Sequence, residues 1–131
     1  MKTHELKLDV KYFEDVKSGK KNFEIRKNDR DFQVGDVLEL KAYKNYKNDK
    51  KSHYIRHEND SVLKTYNPDR ADTIKVKVIS ITTAKTWNEP LSFIPANIES
   101  IANDIITVMH DYFGVSQLPD DFVVLGIEVV K

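Results

Sequence analysis

The alternation of apolar and polar residues over Thr73–Thr83 is the feature that most constrains the fold of this chain. Ile74, Val76 and Val78 are separated by lysines, and this period of two is typical of a β-strand with one buried face. The apolar phase shifts by one position before Ile81, which predicts a bulge or a bend in the strand. A strand of this kind needs neighbours, so the chain must contain a sheet.

Further segments complete the predicted architecture. Strand patterns occur at His4–Leu8, Asn22–Lys27, Val37–Tyr43 and Phe122–Val130. The last of these is almost continuously apolar, as in a central strand that is buried on both faces. A short helix is predicted between Asp9, a favoured N-cap residue, and Gly19, and a longer amphipathic helix is predicted over Asn97–Phe113. The fold class is therefore mixed α/β (α+β), with two main helices.

The length of the chain limits it to one ordinary domain, over residues 1–131. Residues 44–72 are a long polar segment, which contains either a hairpin or one irregular strand. There are no cysteines, so disulfides and thiolate metal sites are excluded and a cytoplasmic location is expected. No apolar run has the length of a signal peptide or a membrane span, and a monomer is the default expectation.

Charge is distributed unevenly along the chain. The net charge is zero, yet residues 1–87 carry 20 Lys and Arg against 14 Asp and Glu, whereas residues 88–131 carry 1 against 7. The segment 19–36 is especially dense in charge. In a strand at Asn22–Lys27, Phe23 and Ile25 would face the core while Glu24 and Arg26 share the other face. An arginine in such a place can hold a phosphate or a base edge through two parallel hydrogen bonds.

Four motifs in this sequence resemble the activating signal cointegrator homology (ASCH) family of the PUA-like superfamily. They are Gly19-Lys20-Lys21, Phe23-Glu24-Ile25-Arg26, Phe32-Gln33-Val34-Gly35-Asp36 and Phe122-Val123-Val124-Leu125-Gly126-Ile127. The run Phe23–Asp36 is most similar to small bacterial and phage ASCH-like proteins of unknown function. The resemblance implies a small PUA-like β-barrel of five or six strands, with a cleft that binds RNA or a modified nucleoside.

Binding of RNA, or of a modified nucleoside, is therefore the predicted function, without a cofactor or a metal. The predicted ligand-binding residues are Lys20, Lys21, Glu24, Arg26, Lys27, Asn28, Asp29 and Arg30. A secondary basic arm is predicted from lysines interleaved with tyrosines, a composition that suits single-stranded RNA. Its residues are Lys44, Lys47, Lys50, Lys51, Tyr54 and Arg56. His53 and His57 have the spacing of a metal pair on a helix, but nothing else predicts a helix there.

Two alternatives stay open at this level. One branch of ASCH-like proteins is a metal-independent amidohydrolase that deacetylates N4-acetylcytidine with a lysine, a threonine and a glutamate. The resemblance places the lysine of that enzyme on Lys21 and its threonine on Glu24, which has no hydroxyl group. Lys21 and Glu24 would then be the catalytic pair, and Glu24 would act as a general base toward water. Glu89 and Glu99 are both candidates for its glutamate. The other alternative is a protein-interaction module that uses the second helix.

Overall fold

The computed structural model describes residues 1–45, 52–88 and 118–130. By their contacts these residues divide into two compact units. The first unit contains residues 1–21, 36–45, 52–77 and 128–130, and the second contains residues 22–35, 78–88 and 118–127. That residues 1–131 form a single domain stays a prediction.

The described residues form seven strands and two short α-helices, which confirms the mixed α+β class. In chain order the elements are β1 (Thr3–Asp9), α1 (Val10–Lys17), β2 (Phe23–Lys27), β3 (Val37–Lys44), β4 (His53–Glu58), β5 (Ser61–Thr65), a 3-10 turn (Pro68–Arg70), β6 (Thr73–Thr83), α2 (Ala84–Asn88) and β7 (Phe122–Val129). The predicted helix over Asn97–Phe113 lies outside the described residues. In the described part of the chain, no helix is long and apolar enough to cross a membrane.

All seven strands belong to one sheet, in the order β2-β7-β6-β3-β4-β5, and β1 pairs with β3 in parallel. The four strands predicted at 22–27, 37–43, 73–83 and 122–130 therefore share a sheet, as expected. Among the described residues this sheet is not closed into a barrel, and it has more strands than the five or six predicted. Closure requires the two end strands to pair, whereas this order ends on β2 at one side and on the β4–β5 hairpin at the other.

The core of the first unit follows from the register of β1 on β3. Leu6 lies beside Leu40, and Leu40 lies beside Ile74 of β6, so the apolar residues of three strands share one face. Helix α1 adds Phe13 and Val16 to this core. As predicted, Asp9 caps the helix: its side chain accepts a hydrogen bond from the Lys11 N–H at 3.1 Å. This bond satisfies one of the backbone donors that a helix N-terminus leaves open.

The second unit is built around β7, whose residues Val124 and Leu125 have no exposed surface. This burial confirms the prediction of a central, buried last strand. On one face of β2 and β7, Phe23 and Val124 pack with Ala84 and Leu118. The partly buried side chains that extend this cluster are Ile25, Trp87 and Phe122.

The predicted shift of phase in β6 is wrong. Every second side chain stays buried from Ile74 to Thr82, and the inward positions after Val78 are filled by Ser80 and Thr82, which are 9% and 2% exposed. Ile79, which suggested the shift, is 38% exposed. The error arose because apolar residues were taken to point inward, whereas this strand buries two hydroxyl groups in the second unit.

Candidate functional site

Glu24 and Arg26 form an ion pair on β2, in the second unit. Arg26 Nε donates to Glu24 Oε2 at 3.0 Å, and the side chains are 24% and 5% exposed for Arg26 and Glu24 respectively. Residues two apart on a strand point to the same face, so the strand itself places the two groups together. The sequence prediction that these side chains share one space is confirmed in this contact, while their role in binding stays a prediction.

The strand that carries this pair is firmly anchored. Glu24 lies opposite Leu125 and Arg26 opposite Val123 in the antiparallel ladder with β7. The alternate residues Phe23 and Ile25 pack into the apolar cluster on the other face. Because β2 is fixed by a ladder and by its apolar face, Glu24 and Arg26 are held in place before any ligand arrives.

Two buried oxygen atoms in the second unit make no hydrogen bond with any residue that the structure describes. They are Asn22 Oδ1 and Thr82 Oγ1. Asn22 precedes β2 by one residue. Its backbone carbonyl oxygen accepts a hydrogen bond from the Ile127 N–H at 3.0 Å, which extends the ladder between β2 and β7. Positions 22, 24 and 26 therefore alternate along one face. Buried side-chain oxygens without a partner are rare in proteins. Neither residue was among the predicted site residues, and a threonine at a buried position of β6 was the signal that could have indicated one of them.

The loop after β2 is held by its own side chains. Asn28 donates its N–H to the Asp121 carbonyl at 2.7 Å, and its Oδ1 accepts from the Phe32 N–H at 3.4 Å. Lys27 makes an exposed ion pair with Asp121 at 3.6 Å. Asp29 and Arg30 are exposed. Asn28 thus has the structural role that a loop-capping residue would have, and the exposed side chains beside it are the ones accessible to a ligand.

The predicted residues Lys20 and Lys21 belong to the first unit. Lys20 is exposed, and the Lys21 ammonium lies 5.0 Å from the centre of the Tyr12 ring on α1. The Lys21 N–H donates to the Asp15 carbonyl at 2.9 Å just after the end of that helix. Lys21 is therefore ordered by a cation–π contact and by a backbone hydrogen bond to α1.

The predicted basic arm is partly a regular hairpin. Tyr54 and Arg56 lie on β4, which pairs with β5, and Lys44 is the last residue of β3. Arg56 Nη2 contacts Glu58 Oε2 at 3.0 Å in an exposed ion pair. Lys47, Lys50 and Lys51 lie outside the described residues, as do the two glutamates, Glu89 and Glu99, weighed for the amidohydrolase.

Two histidines of the first unit, His4 and His57, pair with aspartates. His4 Nε2 lies 2.8 Å from Asp36 Oδ2, and both side chains are buried. His57 Nδ1 contacts Asp72 Oδ2, and both residues line an open cleft of about 340 Å³ with Phe13, Glu14, Lys17 and Thr73. This cleft contains none of the residues predicted at 20–30. Within the described ranges no three His, Asp or Glu side chains are grouped to hold a metal ion.

Comparison with solved structures finds similar chains of low sequence identity. The crystal structure of hypothetical protein PH0355 has a TM-score of 0.45 and 20% identity, and the match covers 99% of this chain and 100% of that one. The solution structure of protein PF0455 from Pyrococcus furiosus has a TM-score of 0.41 and 19% identity, with 100% and 99% covered.

Comparison of sequences identifies a phage relative and a family. An uncharacterized 12.9 kDa protein in the GpA 3′ region of Escherichia phage P2 is 54% identical over 39 residues. That match covers 30% of this chain and 36% of the phage protein, so it spans about a third of each. The domain of unknown function DUF3850 matches residues 3–85. Because these residues are more than half of the sequence, the chain belongs to the DUF3850 family.

Proposed function

We propose that this protein is an RNA-binding domain of the ASCH/PUA-like type, which holds a nucleoside, plain or modified, against Glu24 and Arg26. The observation that carries the proposal is the buried Glu24 carboxylate, whose side chain is 5% exposed while its partner Arg26 keeps 24% of its surface exposed. The four sequence motifs shared with ASCH proteins support the same assignment, since one of them contains this pair.

The burial of Glu24 is what distinguishes this pair from an ordinary surface ion pair. Taking a carboxylate out of water costs several kcal/mol unless it is well paired, by order-of-magnitude reasoning. Exposed pairs such as Lys27 with Asp121 carry no such cost and contribute little. A buried carboxylate that orients a partly exposed guanidinium is typical of a group positioned for recognition, because the arginine then presents its donors in a fixed direction.

The two unpartnered oxygens indicate what kind of ligand would fit. Asn22 Oδ1 accepts hydrogen bonds, and Thr82 Oγ1 can accept them as well. Neither has a donor among residues 1–45, 52–88 and 118–130. A buried acceptor left without a donor costs about 1 to 3 kcal/mol. Nucleobases carry N–H donors on the edges by which single-stranded RNA is read. Asn22 lies on the same face of β2 as Arg26, and an acceptor beside an arginine suits a nucleoside better than a bare phosphate, which would offer acceptors only.

The experiment compares two neighbouring cations on β2. Arg26→Gln and Lys27→Gln each remove one positive charge, but only the first removes a group held by Glu24. Binding of a fluorescein-labelled single-stranded RNA is measured by anisotropy, and binding of free nucleosides by calorimetry. If Arg26 makes a bidentate contact, its replacement costs about 1 to 3 kcal/mol in affinity. For Lys27→Gln we expect a smaller loss that disappears at high salt.

Equal affinities for the two variants would contradict the proposal. Loss of RNA binding without any loss of nucleoside binding would also contradict it, because the proposed contact is to the nucleoside and not to the backbone alone. Circular dichroism of both variants shows whether the exchange of Arg26 leaves the fold intact.

A further inference from the structure

The first unit carries an edge strand with exposed apolar side chains, β5. This strand stands at one end of the strand order, beside β4, and no second strand of the described residues pairs with it. Its residues Val62 and Leu63 are 64% and 40% exposed, and Tyr66, which follows the strand, is 73% exposed. An edge strand of this kind is a template on which another strand can pair.

The turn before β5 determines which of its backbone groups point outward. Asn59–Asp60, two residues with positive φ, joins Glu58 of β4 to Ser61 of β5, which are paired in register. The first and fourth residues of such a turn share a hydrogen bond, and bonded and non-bonded pairs alternate along an antiparallel ladder. The odd-numbered residues of β5 therefore bond to β4, whereas the N–H and C=O groups of Val62 and Lys64 point away from it.

The hairpin that carries this edge is fixed to the rest of the unit by Asp72. The Asp72 N–H donates to the Ile55 carbonyl on β4 at 3.0 Å, and the Ala42 N–H on β3 donates to the Asp72 carbonyl at 2.9 Å. Asp72 Oδ1 also accepts from the His57 N–H at 3.3 Å, and Oδ2 contacts His57 Nδ1. The edge is therefore held in place before a partner arrives, so pairing with another strand would order little of the hairpin.

The sequence of β5 matches itself in one antiparallel register. When a two-fold axis passes beside Leu63, Val62 of each copy lies opposite Lys64 of the other. Each of these pairs uses outward-pointing groups and exchanges both of its backbone hydrogen bonds. Leu63 meets Leu63 of the second copy at a non-bonded position, where side chains approach most closely. The stem of Lys64 covers Val62, and its diagonal neighbours in the second copy, Asp60 and Lys64, have opposite charges.

We propose that this protein forms a symmetric dimer in which the β5 strands of two copies pair antiparallel about Leu63. A second copy fits this edge because one register pairs the outward backbone groups, brings leucine to leucine and sets no lysine directly opposite another. A symmetric contact of this kind closes on itself, so assembly ends at the dimer. The contact is made by a strand of five residues and is small, and we therefore expect a reversible dimer that forms at high protein concentration.

This interface goes beyond the nucleoside site proposed at Glu24 and Arg26. All of its residues belong to the first unit, and the pairing of β5 does not depend on that site.

Two substitutions of Val62 test the register by charge. Val62→Glu places a carboxylate opposite Lys64 of the second copy, whereas Val62→Lys places an ammonium there. Both replace the same exposed valine by a charged side chain, so a non-specific apolar contact would be weakened by both. Sedimentation equilibrium from micromolar to millimolar concentrations measures the dissociation constant of each dimer. We expect the dimer of Val62→Lys to be about tenfold or more weaker than that of Val62→Glu, since each charge pair occurs twice by symmetry.

A disulfide test identifies the residue at the axis. The chain contains no cysteine, so a single introduced cysteine can link only two copies. Across a non-bonded antiparallel pair the Cα atoms are about 4.5 Å apart, which a disulfide can span. Leu63→Cys should therefore form a linked dimer under mild oxidation about tenfold faster than its control, Ser61→Cys. Ser61 is also exposed on β5, but it would lie opposite Thr65 and not opposite itself.

Four outcomes overturn the proposal, provided that circular dichroism shows the native fold in the dilute variants. Equal dissociation constants for Val62→Glu and Val62→Lys would contradict the register, as would equal rates of cross-linking at Leu63 and Ser61. A native chain that stays monomeric at millimolar concentration would leave the edge to a strand of another protein or to another segment of this chain. Species that grow beyond two copies would show an open-ended contact instead of a closed one.

Discussion

Replacing Thr82 by valine should stabilise the protein and weaken the nucleoside binding that we propose. Thr82 is 2% exposed, and its Oγ1 has no hydrogen-bond partner in the described part of the chain. Valine has nearly the same shape and keeps the β-branched side chain that suits a strand. The exchange therefore removes a buried, unsatisfied hydroxyl group and adds an apolar methyl group in its place. We expect the free energy of unfolding to increase by about 1 to 3 kcal/mol.

The adjacent Thr83 supplies a control, because the same exchange there should lower the free energy of unfolding. Its Oγ1 accepts a hydrogen bond from the Thr86 N–H at 3.3 Å and lies 3.2 Å from Thr86 Oγ1, so it caps the start of α2. Thr83→Val loses this cap and should lower the free energy of unfolding by about 0.5 to 2 kcal/mol. The same chemical change at two consecutive positions is thus expected to stabilise at the buried one and to destabilise at the exposed one.

The assay is urea unfolding followed by circular dichroism, with the m-value checked so that a shift of the midpoint reports stability. A chain of this length should show a gain of about 1 to 3 kcal/mol at Thr82 as a rise in Tm of roughly 4 to 11 °C. Calorimetric titration with the nucleoside that binds best then measures whether Thr82→Val lowers the affinity for nucleosides. Destabilisation by Thr82→Val would refute the reasoning, because it would mean that the hydroxyl has a partner in the folded protein.

Two further predictions follow from positions described above. The native chain should release little or no acetate from N4-acetylcytidine over hours, because Glu24 supplies no hydroxyl nucleophile and its Oε2 accepts a hydrogen bond from Arg26. Robust turnover that is lost in Lys21→Ala would contradict this prediction and would make Glu24 a general base. Asp60→Gly should stabilise the β4–β5 hairpin by about 0.5 to 1 kcal/mol. Asn59 and Asp60 both have positive φ, at 50° and 66°, and a two-residue turn of this geometry favours the sequence Asn-Gly. A lower urea midpoint in this variant would contradict the prediction.

Sequence patterns predicted the elements well where one face of a strand or helix is apolar. The span Thr73–Thr83 is identical to β6, and the short helix begins after Asp9 as expected. The number of strands was underestimated because β4 and β5 lie in the polar segment 44–72, and β5 is almost entirely exposed. Because β5 has no buried face to impose alternation, the pairing of this hairpin could not be predicted from periodicity.

The candidate site was predicted in part for a similar reason. Glu24 and Arg26 could be placed together because a strand alternates regularly. The burial of Glu24 could not be predicted, since it depends on where β2 lies within the sheet. The same holds for Lys41, a buried lysine of β3, whose neighbours Lys7 and Thr73 come from two other strands. Register between distant segments decides whether a polar side chain is solvated or enclosed, and a single sequence does not specify that register.

The pairing of β2 with β7 has a consequence for the order in which parts of this fold can form during synthesis. Phe23 lies opposite Gly126, so about a hundred residues separate the two halves of this ladder. Contacts of such long range form slowly, because the intervening loop must close first. By contrast, β1, β3 and β4 pair with one another and are all translated in the first half of the chain. On the ribosome these strands can therefore pair early, whereas Glu24 and Arg26 must wait for the final strand before β2 has its partner.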